Sequence, residues 1–329
     1  MIHIFTYAHK RPDFIKIQYE SIKKYVIGEY EYVVFNNAID SMQQHNDIKK
    51  ICDELNIKCV DIIIDNDITS KLIMGHIYNN TYSNANVGTS YPIMYTFKNY
   101  LTSESKICII DSDMFFINNI NFNEVMKNKD ALYIPQYRDN NNLKYMWNAF
   151  VCLNFERNEL LKNLDWNCDY VGNIGLDVGG KTRHFLVENK LDISIMEEYS
   201  IYDYIDDGST KKIHFILNGN INYNLVLDQN NNLLSFTHIG GDKLFDNKSF
   251  PHEPEFSNYS SYILNKTLKI LEIFDNYGVN LPNPKHIGFI GFMGSDDYFI
   301  IHYKSGSNYL GFSTNEYNIK KTNEIKKIL

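Results

Sequence analysis

The chain has no run approaching the roughly 18 apolar residues that a membrane-crossing helix needs, so no membrane span is expected. It has no CxxC pair. Its cysteines, Cys52, Cys59, Cys108, Cys152 and Cys168, are odd in number and scattered, which predicts reduced, mostly buried thiols in a cytosol-like compartment. It has no excess of positive charge. Lys and Arg number 32 against 40 Asp and Glu, a net charge of -8, which argues against a nucleic-acid binder with a basic face. An acidic chain can still grip an anion through a metal ion and a few local cations. The opening Met1-Ile2-His3-Ile4-Phe5 lacks the charged and apolar regions of a signal peptide, so a cytoplasmic location is expected. Internal repeats are missing too. What is present is ordinary for a globular protein: 329 residues, 44% hydrophobic and 22% charged, enough for one large domain or one domain plus an appendage.

Strands alternating with amphipathic helices fill the first half, the pattern of a layered α/β sheet. Ile2–Tyr7 reads as a strand, and Pro12 suits the first turn of a helix running to about Tyr25. Strands at Glu31–Phe35 and Lys58–Ile64 follow, with a helix near Ile48–Leu55 between them. Tyr91–Leu101 reads as a helix, then Lys106–Ile110, Ala131–Pro135 and Ala149–Asn154 as strands, with a helix over Glu156–Asn163. Beyond Phe245 the character changes to a Pro-containing stretch, a helix over Tyr259–Tyr277, and short Gly-punctuated strands from His286 to about Tyr317. The expected division is residues 1–245 as one α/β domain and 246–329 as an appendage of a helix and β-hairpins.

Asp111-Ser112-Asp113 is the pattern that carries chemistry. It follows the apolar strand Ile107-Cys108-Ile109-Ile110 and precedes Met114-Phe115-Phe116. Ligands of open α/β sheets bind beyond the carboxyl ends of strands. Residues two apart on an extended chain point the same way, so both carboxylates face one site. Two hard oxygen donors suit Mg²⁺ or Mn²⁺, which completes its shell with water and substrate phosphate. The bland alternative is a polar strand end, where Asp is common.

This hhhhDxDhhh arrangement resembles the metal-binding motif of GT-A glycosyltransferases. The likeness extends over residues 1–245, because strand one followed by Arg11-Pro12 and a helix carrying Ser21-Ile22 looks like the opening of many such enzymes. It implies a Rossmann-like, mixed but mostly parallel central sheet flanked by helices. It also implies a nucleotide-sugar donor (UDP- or GDP-linked) and a sugar or glycan acceptor. Thr6, Tyr7 and Ala8 would then line the base and ribose pocket, and Ser112 would sit with the diphosphate. Arg11 would be either a phosphate ligand or a solvated turn cation. Asp65 and Asp67 would hold the base, or else form a cap or surface turn.

The third metal ligand in such enzymes comes from late in the domain. Here Ser235-Phe236-Thr237-His238-Ile239-Gly240-Gly241-Asp242-Lys243 is the candidate, with His238 on the metal and Gly240 and Lys243 at the phosphates. It is similar to the His-x-x-Gly-x-x-Lys signature of some retaining families, departing by one residue in spacing; His214 is the competitor. Asp177, in Asp177-Val178-Gly179-Gly180, stands where an acceptor-side base is placed, with Asp169 as alternate and a turn residue as the bland reading. The late His-Gly-Lys likeness favours retention, whereas a base at Asp177 requires inversion. Trp147 and Asn148 make a sugar platform or, equally, a core aromatic and its neighbour. The chain is also similar to the stand-alone enzymes of this kind that some large DNA viruses encode. Two other classes stand beside this one. A nucleotidyltransferase would carry a Gly-rich loop after strand one, and Tyr7-Ala8-His9-Lys10-Arg11 has no glycine. A non-catalytic carbohydrate-binding protein would fit the aromatic wealth but gives Asp111, Asp113 and a late His no reason to converge.

Overall fold

The computed structural model describes residues 1–9, 11–38, 41–63, 84–102, 105–138, 143–218, 221–239, 256–278, 287–303, 322–323 and 325–329. In chain order its first elements are β1 (Ile2–Ala8), α1 (Pro12–Tyr25), β2 (Tyr30–Asn36), α2 (Met42–Glu54), β3 (Lys58–Asp61), α3 (Asn84–Asn99), β4 (Lys106–Ile110) and β5 (Met114–Phe116). Next come α4 (Phe122–Val125), β6 (Ala131–Arg138), β7 (Leu143–Asn154), β8 (Asp169–Val171), β9 (Ile174–Leu176), α5 (Thr182–Glu188) and β10 (Ile193–Asp206). The chain closes with β11 (Thr210–Leu217), β12 (Ile221–Asp228), β13 (Leu233–Ile239), α6 (Phe256–Asn276), β14 (Ile287–Phe292) and β15 (Ile300–Tyr303). Over Glu156–Asn163, where a helix is expected, only Glu159–Asn163 coils, and as a 3-10 turn whose Asn158 side chain caps the Leu160 N–H.

Two compact units divide the chain. The first comprises Met1–Ser112, Asn119–Asp139 and Leu143–Ile195. Its sheet runs β10-β6-β7-β4-β1-β2-β3, with β10 contributing Ile193–Ile195. The pairs β1–β2, β1–β4, β2–β3 and β6–β10 are parallel, and β7 alone runs against its neighbours β4 and β6. This is the mixed, largely parallel α/β sheet expected. Its central strands are apolar along their length because helices cover both faces, and Ile107 through Ile110 are all essentially unexposed. Pro12 starts α1, with Asp13 in the first turn and Lys23 and Lys24 in the last, as the helix dipole favours. Pro92 inside α3 has no N–H for the Gly88 carbonyl, which instead accepts from Asn37 Nδ2 at 2.7 Å, just beyond β2. The core gathers Phe5, Phe35, Phe97, Ile109, Val151 and the fully buried Trp166.

The second unit is built on Asp113–Asn118 and Met196–Leu329. It is antiparallel: β10 through β13 form a meander, while Met196–Ser200 of β10 also pairs with β14, β14 with β15, and β15 with β5. Helix α6 buries Ile263, Ile270, Leu271 and Phe274, the last against Phe289. The expected division at 245/246 falls inside this unit, among residues outside the described ones. All five cysteines are free and four are buried. Among the described residues no helix is long and apolar enough to cross a membrane.

Candidate metal centre

The Asp111–Asp113 turn is fixed at its first residue from two directions. The Asp111 N–H donates to the Ala149 carbonyl at 2.8 Å, extending the β4–β7 ladder by one bond. The Asp111 carbonyl accepts from Gln18 Nε2 at 2.8 Å, and Gln18 Oε1 accepts from the Tyr32 hydroxyl at 2.7 Å. Gln18 is fully buried on the face of α1 that also carries Phe14, Ile15 and Ile22. A buried amide with both ends satisfied locks the turn's backbone rather than merely filling space.

At its other end the turn enters β5, which pairs with β15 so that Met114 lies opposite His302. The Tyr303 N–H donates to the Asp113 carbonyl at 2.8 Å. His302 Nε2 stands 3.4 Å from Asp113 Oδ1, and its Nδ1 is 2.6 Å from Glu198 Oε1. Asp111, Asp113 and His302 each offer one ligand atom, and these atoms lie within 4.8 Å of one another. Two carboxylates and one imidazole form a donor set that fits Mn²⁺ or Mg²⁺, with positions left for phosphate oxygens. Burial works against a charged His302, but the carboxylates of Glu198 and Asp113 outweigh it and raise its pKa to about 10. A ligating imidazole must be neutral, so a cation bound here would displace that proton.

His302 was not among the residues singled out from the sequence. The expected ligand, His238, lies on β13 opposite Tyr223, and its side chain is outside the described residues. Gly240, Lys243, Asp65 and Asp67 are outside them as well. His214 is engaged with Asn222 Oδ1 at 3.1 Å across the β11–β12 pair.

The acceptor-side candidates converge on β7. Between Tyr133↔Val151 and Pro135↔Met146 the register slips, so the segment from Trp147 to Phe150 bulges out of its pairing with β6. Asn148 is buried and Trp147 half-buried, next to the Ala149 carbonyl that holds Asp111. The Asp177 turn docks on the same strand. Its N–H donates to the Tyr145 hydroxyl at 3.3 Å, and Thr182 Oγ1 accepts the Met146 N–H at 2.9 Å. A Cβ on Gly179 would meet the Met146 carbonyl oxygen at 2.3 Å, and Gly179 has φ +87°, so only glycine permits this approach. Asp177 Oδ1 accepts the Val178 N–H at 2.8 Å. Asp169 is paired with Arg183 at 2.7 Å and His184 at 3.1 Å. Although burial opposes ionisation, the Tyr170 N–H and Arg183 hold its carboxyl below the usual range.

On β1, Thr6 and Ala8 are fully buried, and Thr6 Oγ1 has no hydrogen-bond partner. The Tyr7 hydroxyl donates to Thr96 Oγ1 at 3.2 Å. Arg11 caps α1 in the left-handed region (φ 63°). Its guanidinium donates to Asp13 at 3.0 and 2.7 Å and lies 3.8 Å from the Phe14 ring centroid, so a phosphate would compete with Asp13 for it. Ser112 is half-buried in the turn.

No protein-family model and no curated protein matches the chain. Among solved structures it is similar to the mannosyltransferase Ktr4p from S. cerevisiae, with 10% identity and a TM-score of 0.34 over 49% of this chain and 58% of that one. It is also similar to mouse xyloside xylosyltransferase 1 in its apo form, with 14% identity and a TM-score of 0.32 over 49% of this chain and 70% of that one. An active-site mutant of LgtC aligns at 11% identity and a TM-score of 0.34, over 47% of this chain and 58% of that one. The chain thus spans less than two thirds of the length of two of these three proteins.

Proposed function

We propose that this chain is a metal-dependent glycosyltransferase that moves a sugar from a nucleoside diphosphate to a hydroxyl acceptor. The observation that carries the reading is the convergence of Asp111, Asp113 and His302 at the end of a buried strand. In it, Asp111, Asp113 and His302 hold one Mn²⁺ or Mg²⁺, with His302 in the role first given to His238. The bound ion supplies charge neutralisation for the diphosphate as it departs.

The remaining roles fall to the chain's own residues. Gln18 and Ala149 hold the Asp111 backbone so that its carboxylate is presented without reorganisation. Trp147 and Asn148, bulged from β7 beside that turn, orient the acceptor sugar. If transfer inverts, Asp177 Oδ2 takes the acceptor proton, held on the same strand by Tyr145 and Met146. Thr6, with its unpartnered buried hydroxyl, marks the donor's base-and-ribose end, and Lys243 and Gly240 serve the phosphates.

Incubation with UDP- and GDP-sugars and Mn²⁺ tests the reading. Release of nucleoside diphosphate, abolished by chelator and by Asp111→Ala, is expected. Release of sugar 1-phosphate in place of nucleoside diphosphate would point to nucleotidyl transfer, and nucleotide-independent sugar binding without turnover would leave only a lectin-like role. NMR of the product's anomeric configuration then decides whether a base at Asp177 is needed.

A further inference from the structure

Two buried glutamates stand side by side on β10. Glu197 accepts hydrogen bonds from the hydroxyls of Tyr199 and Tyr262, near Lys266. Glu198, on the opposite face, is 1% exposed and reaches His302. Glu198 and His302 are not on neighbouring strands. Strand β14 runs between β10 and β15, and Glu198 lies two residues from the row that holds His302, so their backbones are about 12 Å apart at normal strand spacing.

Gly288 makes that reach possible. It is the β14 residue directly opposite His302 on β15, and it pairs with Ser200 on β10. A Cβ there would sit 2.3 Å from Glu198 Oε1, so the carboxylate occupies the space of the missing side chain. Glu198 is itself pinned. Its N–H donates to Asn218 Oδ1 at 2.8 Å, and its carbonyl accepts the Asn218 N–H at 2.8 Å, with Asn218 in the left-handed region at φ 49°. The result is an imidazole whose Nδ1 is engaged and whose Nε2 faces Asp113.

We infer that Glu198, through the gap at Gly288, is a positioning residue for the metal centre, holding the His302 ring so that Nε2 is the atom offered to the cation. This rests on the proposed metal site, and a carboxylate behind a ligating histidine is a recurrent way to fix ring orientation and tautomer. Glu198 is not part of the Asp111, Asp113 and His302 group, so its role runs through the ring.

The test is Mn²⁺ binding to the full-length chain by calorimetry at one fixed pH. Glu198→Gln is expected to weaken Mn²⁺ by about 10–100-fold. Glu198→Asp keeps the charge but falls short of the ring, and the same loss is expected. In a His302→Ala background Glu198→Gln should change affinity by less than about twofold, because its route to the cation is gone. Mn²⁺ affinity within about twofold of wild type in Glu198→Gln overturns the inference, as does an equal loss in the His302→Ala background, which would mark a packing role. Should the glutamine variant not fold, Glu198→Asp decides by the same threshold. Failure of wild type to bind Mn²⁺ would instead sink the metal site, which separates the two claims.

Discussion

Replacing Gln18 with alanine tests how the Asp111–Asp113 turn is held. The side chain gives one hydrogen bond to the Asp111 carbonyl and takes one from the Tyr32 hydroxyl, at 2.8 and 2.7 Å. Each such bond contributes about 1 kcal/mol net, but a partner left buried and unpaired costs about 1–3 kcal/mol. Tyr32 is 5% exposed and its hydroxyl would be stranded, so the expected loss is about 2–4 kcal/mol. Tyr32→Phe alone removes one bond. In the Gln18→Ala background it should be close to neutral, because the stranded donor goes with it, giving a coupling of about 1–2 kcal/mol. Urea unfolding of the four proteins measures this, followed by Mn²⁺ titration, where Gln18→Ala should bind more weakly as the Asp111 carboxylate loses its fixed aim. A destabilisation below about 0.5 kcal/mol, or strict additivity with Tyr32→Phe, would refute the reasoning.

Other outcomes follow from the same geometry. Gly179→Ala forces a left-handed residue against the Met146 carbonyl and should cost about 3 kcal/mol or more in thermal or urea unfolding. Asp169→Asn should lower thermal stability at pH 7. Because the folded carboxyl is depressed, its contribution is present above the unfolded value near 3.9 and fades as pH falls through the lower folded one; the gap to wild type should therefore close in melts on the acid side. Asp177→Ala should keep Mn²⁺-dependent nucleotide binding and lose transfer, if the product is inverted. Normal turnover in that variant removes Asp177 from the mechanism.

Much of this was legible in the sequence because it is local. The apolar run Ile107–Ile110 ending in Asp111-Ser112-Asp113 specifies a buried strand with two carboxylates at its end without reference to anything distant. The alternation of strands and helices through β4 likewise set the α/β class. The histidine proposed as third ligand was not legible for the opposite reason. His302 follows Phe299-Ile300-Ile301, which reads as core, and it reaches Asp113 only because β15 pairs with β5, a contact between segments far apart in the chain. His238 drew attention through its neighbouring glycines and lysine, a local pattern that carries no information on strand pairing. Gln18 did leave a trace, an amide on the apolar stripe of α1 that burial would have to satisfy. Glu198 left little, since its role depends on the gap at Gly288 one strand away. The unit boundary hid for a related reason: β10 is one uninterrupted strand that changes units between Ile195 and Met196, with no linker composition to mark it.

The central claim is that Asp111, Asp113 and His302 hold a cation that in turn holds a nucleoside diphosphate. Thermal unfolding with UDP or GDP, with and without Mn²⁺, tests it directly. Ligand at about 100 times its Kd adds about 2.7 kcal/mol, or roughly 4 °C for a chain of 329 residues. That shift is expected only when nucleotide and Mn²⁺ are both present, and it should vanish in Asp113→Ala and His302→Ala. A shift of the same size without metal, or one retained in Asp113→Ala, would contradict the account.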